Sequence, residues 1–595
     1  MSDAGEGPSG VKTRKVLNIF DIFNNPNSDS EDDFVIPYIS DDSGSNDVSD
    51  DDEEVGNRLD AQNDNTRSRS SFSETGDVFG WSEISNAETD RIRTDPSFIT
   101  RSTSIPQDCK KPIDFFQLFL VPQLFEMILK ETNKYATNFL NLESTKAWIQ
   151  KFPTSRYNSW PTNGIDASLL SKYFALLLNM GIVKKKKTED YWSTIPSQLT
   201  PFYSSTMSCK MFQLISRMVH INDVTKEKKR GEDGFDPWVK VRPVLDQVNF
   251  SSKKFYSPTR FISIDESMIG MKNRIVYLQY MPNKRHARFG IKKFQLCDSL
   301  NGFVIHIEIY AGRDFDVHHE EGQAFGVVKT LMEKSQLLNK GFILHTDNFY
   351  TKVPLAEFLL EKKTLLTGTV RANSKFLPIG CRQKLPVGMS KFWRKGEMLV
   401  VSFREKKSQT KPVLLLSTAH NATISEKNIR QKTLVKPTMI FDYNSYMGGV
   451  DMSDKKIYHY ASERSTRRYW KKIFQNLLDI CVLNSWIIFN KSVPASQKMN
   501  RKTFLTSIIE NLNSSANVCV VLPPQVVYHN LVLLEGKKER DCFVCSSRVS
   551  NRSSSLGRKR SRHWCPACRV GCHENCLPHL VHETNQGLHR KKNKN

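Results

Sequence analysis

No run of about 20 apolar residues occurs in this chain, so a membrane-spanning helix is not expected. The nearest stretch, 477–489, is broken by Asp479, Asn484 and Ser485. Residues 1–14 hold no apolar core, so a secretory leader is not expected either. Cysteine is sparse over most of the length. Six of the twelve are scattered between Cys109 and Cys519, and the other six crowd into 542–576. That distribution argues against a disulfide framework and for reduced thiols beside one local metal-binding module. Acidic charge is also thin outside one end. Residues 1–100 carry 23 acidic and 8 basic side chains, while all 595 residues hold 86 Lys and Arg against 63 Asp and Glu. The body is therefore strongly basic, which suits a polyanion, nucleic acid foremost.

What is present divides into segments. Residues 1–105 read as a disordered acidic tail, because blocks such as SDSEDDF (28–34) and SDDDEE (49–54) cannot build a packed core. Ser28, Ser30 and Ser49 precede acidic residues, the pattern of acid-directed phosphorylation. Residues 106–257 read as helical. Phe115, Phe116, Phe119, Leu124, Phe125 and Ile128 recur at helical spacing, and Pro122 suits the first turn of a second helix. An apolar helix over 169–183 runs into Lys184–Lys187, a candidate phosphate contact or a solvated helix end. From about 258 the pattern changes to short apolar or alternating strands, FISID, FVIHIEIY, GFILHTD and LLTGTV, mixed with helical segments at 326–337 and 353–362. That mixture predicts a layered α/β domain over 258–456. A basic cluster follows, Arg464, Arg467, Arg468, Lys471 and Lys472. It leads into a long helix with Ile473, Phe474, Leu477, Leu478, Cys481 and Val482 on one face, and 457–536 ends as a short helix and linker.

Residues 537–595 carry the strongest metal signal. Cys542-x2-Cys545, Cys565-x2-Cys568 and His573-x2-Cys576 are followed by His582. A two-residue gap lets both ligands of a pair reach one ion in a tight turn, and tetrahedral zinc needs four. Seven good ligands imply two zinc ions, with the first and third pairs sharing a site in cross-brace fashion. The eighth ligand is open among His579, Cys572 and His563. RING and PHD modules have similar spacing, so a chromatin or ubiquitin-pathway role is one alternative. Arg558, Lys559, Arg560, Arg562 and the 590–594 run add positive charge for DNA or for nuclear import.

Three aspartates stand where a polar edge meets a buried core. Phe261, Ile262 and Ile264 lead into Asp265; Phe342, Ile343 and Leu344 lead into Asp347; Gly448 and Gly449 precede Asp451 and a helix-compatible run. Carboxylates converging from separate elements can hold two magnesium ions about 3.5–4 Å apart, the geometry of in-line phosphoryl displacement. DNA cutting is the expected chemistry.

The stretches YMPNKRHARFGIKKFQLCDS (280–299), HTDNFYTKVPLAEFL (345–359), TGTVRAN (367–373) and FDYNSYMGGVDMSDK (441–455) resemble the piggyBac transposase family. So do PIDFFQLFL (112–120) and MSCKMFQLISRMVHIND (207–223). The resemblance covers about 110–490 and the layout of the cysteine-rich end, but not residues 1–105. It implies an RNase H-like catalytic domain with a β-rich insertion at about 374–436. A helical dimerisation and DNA-binding domain and a C-terminal zinc-binding domain would flank it. It implies Asp265, Asp347 and Asp451 as ligands of Mg2+ or Mn2+, with Asp454 as a fourth family aspartate supporting them. Glu266 matches the family too, but alternation along a strand points it away from Asp265, so it is not expected to be a ligand. The implied function is cleavage and strand transfer at transposon ends, through a hairpin, into TTAA, by a nuclear homodimer on double-stranded DNA. The alternative is a domesticated derivative that binds DNA without transposing.

Overall fold

The structure is a computed structural model. It describes residues 79–84, residues 96–514 with short gaps (the longest at 313–321), and parts of 531–590. The acidic blocks, Ser28, Ser30, Ser49, Arg464, Arg467 and Arg558 lie outside the described residues.

Seven helices open the fold: α1 (Pro112–Gln117), α2 (Pro122–Asn141), α3 (Glu143–Lys151), α4 (Ala167–Ile182), α5 (Pro201–Thr206), α6 (Cys209–Met218) and α7 (Arg242–Phe255). Local chemistry starts them. Proline occupies the first turn of α1, α2 and α5, where no backbone donor is needed. Asp166 caps α4 by accepting from the Leu169 amide at 2.7 Å. The aromatic stripe is core, as its spacing predicts: Phe115, Phe116 and Phe119 are buried.

The α/β layer holds β2 (Phe261–Gly270), β3 (Leu278–Tyr280), β4 (Phe289–Asp298), β5 (Val304–Ile309), β6 (Ile343–Thr346) and β7 (Leu365–Thr369). They follow a short first strand, β1 (Ser82–Ile84). Helices α8 (Gln323–Lys334) and α9 (Val353–Glu361) intervene. Then come β8 (Ser390–Lys395), β9 (Met398–Phe403) and β10 (Val413–Ser417), and the hairpin β11 (Ile424–Ile429) and β12 (Lys432–Pro437). The main sheet has ten strands in the order β1-β8-β9-β10-β7-β6-β2-β4-β3, with β5 also on β4. Only β2–β6 and β6–β7 pair in parallel within it.

The segment expected as a β-rich insertion, about 374–436, holds β8–β10, which lie in the same sheet as β2, β6 and β7, since β10 pairs antiparallel with β7 from Leu415↔Thr369 to Ser417↔Thr367. One expectation changes here. The acidic tail was expected to be disordered to residue 105, yet part of it is ordered. β1 adds to the β8 edge, with Glu83 opposite Trp393. Trp81 is 1% exposed, and its indole N–H donates to the Phe376 carbonyl at 2.8 Å. Further on, Phe98 meets Phe342 edge-on, and the Arg101 guanidinium donates to the carbonyls of Lys253 and Ser335, where α7 and α8 end. Low apolar content hid these anchors, since one tryptophan can hold six residues. Trp81→Ala is therefore expected to free 79–84, and amide exchange along β8 should accelerate by at least tenfold. Unchanged exchange along β8 would show that the tryptophan is not the anchor.

Four helices follow, α10 (Thr438–Tyr446), α11 (Gly449–His459), α12 (Tyr469–Ser492) and α13 (Arg501–Ser514). Helix α12 is long and apolar enough to cross a membrane by composition, but 89% of that window is buried inside the protein. It is a core helix packed on α1 and α7. Its polar residues are satisfied internally. The Asn484 side chain bonds both the Val304 amide and carbonyl, and Asp479 accepts from the Ser462 amide. The basic cluster before it turns partly inward. The Lys471 ammonium donates to the Ser216 and Arg217 carbonyls, and Arg468 reaches the Arg217 carbonyl. Lys185 likewise closes its own loop, donating to the Asp190 carbonyl and to Thr200 Oγ1.

Candidate active site and metal centre

Strands β2 and β6 pair only as far as Ile264↔Thr346. The next residue on each is an aspartate. Asp265 therefore sits mid-strand on β2 where one ladder has just stopped, and Asp347 stands just past the end of β6. Asp265 Oδ1 turns along its own strand and accepts from the Glu266 amide at 2.8 Å. This fills the place that a β6 carbonyl would have taken. Asp347 Oδ1 accepts from the Phe349 amide at 2.9 Å and the Tyr350 amide at 3.4 Å, a turn that leads into α9.

The carboxylates brought together are Asp265, Glu266 and Asp347, with ligand atoms within 4.8 Å of one another. Glu266 corrects the alternation argument. Alternation fixes where a Cβ points, but the Asp265 carboxylate bends back along the strand edge, so both acids meet there. Asp451 lies in the first turn of α11, as expected, but its side chain is 73% exposed and outside that trio. Its link to Asp265 runs through Lys284, whose ammonium is 3.7 Å from Asp451 Oδ1 and 3.8 Å from Asp265 Oδ2. Asp454, one turn along α11, points inward and accepts from Ser267 Oγ at 2.7 Å and Gln295 Nε2 at 3.3 Å. Helix α11 can lie this close to the sheet because residue 449 is glycine. A Cβ there would meet Ser263 Oγ at 2.4 Å.

The electrostatics fit a cation. Burial pushes the Asp265 carboxyl well above the ordinary range, against the pull of Lys284. Burial, then the charge of Glu266, raises Asp347, and burial raises Asp454. Burial works against the Lys284 charge, but Asp265, Asp451, Asp454 and Glu266 outweigh it and hold the ammonium above its usual range. Asp298 is a useful contrast. It is also buried, but it accepts from Tyr256 Oη, the Thr259 amide and hydroxyl, and the Leu300 amide, at 2.8–2.9 Å. Donors of the protein itself satisfy Asp298, whereas the trio crowds three carboxylates within 4.8 Å of one another. Oxygen donors in this number suit a hard divalent cation.

The second cluster is Cys542, Cys545, His573 and Cys576, all within 4.8 Å of one another. These are the first and third pairs, as the cross-brace expectation has it. His573 Nε2 faces the Arg560 carbonyl at 2.9 Å, and Nδ1 lies 3.3 Å from Cys545 Sγ. That hydrogen bond fixes the tautomer and leaves Nδ1 for a metal. Burial, then the neighbouring Cys542 and Cys576 thiols, pushes Cys545 up to about 12, crowding that a bound cation would relieve. Cys565 is buried outside this cluster. Of the eighth-ligand candidates, His563 Nε2 contacts Glu574 at 3.3 Å and Cys572 Sγ donates to the His573 carbonyl at 3.4 Å. Cys568 and the side chains of His579 and His582 lie outside the described residues.

Residues 111–486, well over half the chain, match the family described as Transposase IS4. The chain belongs to this transposase family. Among curated relatives, human PiggyBac transposable element-derived protein 3 is 23% identical over 65% of this chain and 63% of its own length. Human PiggyBac transposable element-derived protein 2 is 23% identical over 66% of this chain and 65% of its own. The matches thus span a little under two thirds of those relatives. A solved piggyBac transposase, in a synaptic complex with hairpin DNA, superposes with a TM-score of 0.60. It is 26% identical, over 69% of this chain and 81% of that one. The transposase family and the mixed sheet agree with the sequence reading. Sequence reasoning passed over Lys284, which lies in the quoted YMPNK, and set aside Glu266, which directly follows FISID and whose carboxylate lies with those of Asp265 and Asp347.

Proposed function

We propose that this chain is a piggyBac-like DNA transposase that cuts and rejoins phosphodiesters at transposon ends. The observation that carries the reading is the convergence of Asp265, Glu266 and Asp347 where the β2–β6 ladder stops. Asp265 and Asp347, with Asp451 from α11, would hold Mg2+ or Mn2+, which supplies an activated water and charge stabilisation for in-line displacement. The chain's own part is to fix the carboxylates: Asp265 through the Glu266 amide, Asp347 through two turn amides, and Asp454 through Ser267. Crowded, partly buried acids cost stability unless a cation joins them. That favours the active enzyme over a derivative that only binds DNA. A basic body, a cysteine-rich module with Zn2+ at Cys542, Cys545, His573 and Cys576, and a TTAA target belong to the same reading. So do a homodimer and a nuclear site of action.

The test is excision. The purified chain should release a donor segment flanked by the inverted repeats beside its own gene, and repair of the empty site should restore TTAA. Intact donor after incubation with Mg2+ or Mn2+, with the protein bound to those ends, would favour the domesticated reading.

A further inference from the structure

The hairpin joining β3 to β4 folds over the end of β2. Gly270 on β2 sits opposite Gly290 on β4. A Cβ on Gly290 would meet the Ile269 carbonyl oxygen at 2.2 Å, and one on Gly270 would meet Ala287 Cβ at 3.1 Å. These two glycines let the hairpin tip close down. Its backbone is tied by Met281 N–H to the Arg288 carbonyl at 2.8 Å and Ala287 N–H to the Lys284 carbonyl at 3.3 Å. The tip thereby places the Lys284 ammonium between an acid of β2 and an acid of α11, 3.8 Å from Asp265 and 3.7 Å from Asp451. No other described cation forms an ion pair with either carboxylate.

Resting on the functional reading above, we infer that Lys284 is a positioning residue that competes with the divalent ion for Asp265 and Asp451. One ammonium holds the exposed Asp451 toward the half-buried Asp265. A divalent cation taking the same two carboxylates must displace that ammonium or share the acids with it. The lysine therefore keeps the acids in place and weakens metal affinity at the same time. A purely structural lysine would do the opposite, since losing it would loosen the site and lower metal affinity.

The test is Mn2+ titration of the full-length chain, loaded with zinc beforehand, counting free ion by electron paramagnetic resonance. Lys284→Met removes the competing charge and should bind Mn2+ about tenfold more tightly than the parent, a modest fraction of what a unit charge at about 4 Å exerts. Lys284→Arg keeps the charge and should stay within about twofold of the parent. Asp265→Asn marks the site by losing this Mn2+. Should Lys284→Met fold poorly, Lys284→Gln carries the same expectation. Equal or weaker Mn2+ binding by the folded neutral variants would overturn the inference while leaving the functional reading intact. Mn2+ binding independent of Asp265 in every variant would instead remove the functional reading, and this inference with it.

Discussion

Asp265→Asn and Asp347→Asn are each expected to lower cleavage of transposon ends by on the order of 10³-fold, with duplex binding within about twofold of the parent. Both side chains are fixed by backbone amides at the stopped β2–β6 ladder. The amide of asparagine keeps the size and can keep those hydrogen bonds, but it removes an anionic ligand. Loss of charge at the reacting centre lowers stabilisation of the transition state, while phosphate contacts elsewhere on the basic body persist. Asp451→Asn should cost less, about 10²-fold, because Asp451 is largely exposed and stands outside the clustered trio. Cleavage near the parental rate in Asp265→Asn or Asp347→Asn would place the chemistry elsewhere. The measurement is single-turnover nicking of a labelled end, with binding read by anisotropy on the same duplex.

Chelation is the second large effect expected. Treating the chain with a zinc chelator should release about two zinc ions, four ligands to each, and make 537–595 protease-sensitive. The described strands of this module are two to four residues long, among them Arg560–Ser561 and His563–Cys565. So little sheet buries little apolar area, and metal binding must provide most of the folding energy. Cys542→Ser should reproduce the loss, and residues 96–514 should keep their melting transition. A module that stays protected with no zinc bound would show that its small apolar cluster suffices.

Much of this was legible in the chain. Asp265, Asp347 and Asp451 announce themselves by following apolar runs or a glycine pair, and the structure puts them mid-strand, past a strand end and in a first helical turn. Pattern does not say where a ladder stops, however, and that stopping point sets which carboxylates meet. Glu266 was lost for this reason. Strand β4 was hard to read because it is buried on both faces yet carries Lys293 and Gln295. Their partners, Asn476 and Asp454, lie more than 150 residues away. The sheet's extension through β10 was hidden in the same way, because LVVSFR and VLLLST declare strands but not their neighbours. The segment around Trp81 shows the converse, since composition averages over a window and one large aromatic can order it.

Helices α12 and α13 have a consequence for how the protein is made. They pack against α1 and α4, which leave the ribosome about 300 residues earlier. At roughly 5–20 residues per second, that delay is of the order of 15–60 s. Through that interval Phe115 lacks its ring partner Phe489 and Phe174 lacks Phe474, although both are fully buried in the finished fold. The α/β layer between them can assemble meanwhile. Synthesis should therefore pass through a state with a formed sheet and an open helical flank, a natural client for chaperones that hold apolar segments. A nascent chain stalled before residue 469 should be captured by such a chaperone, and one extended past residue 514 released.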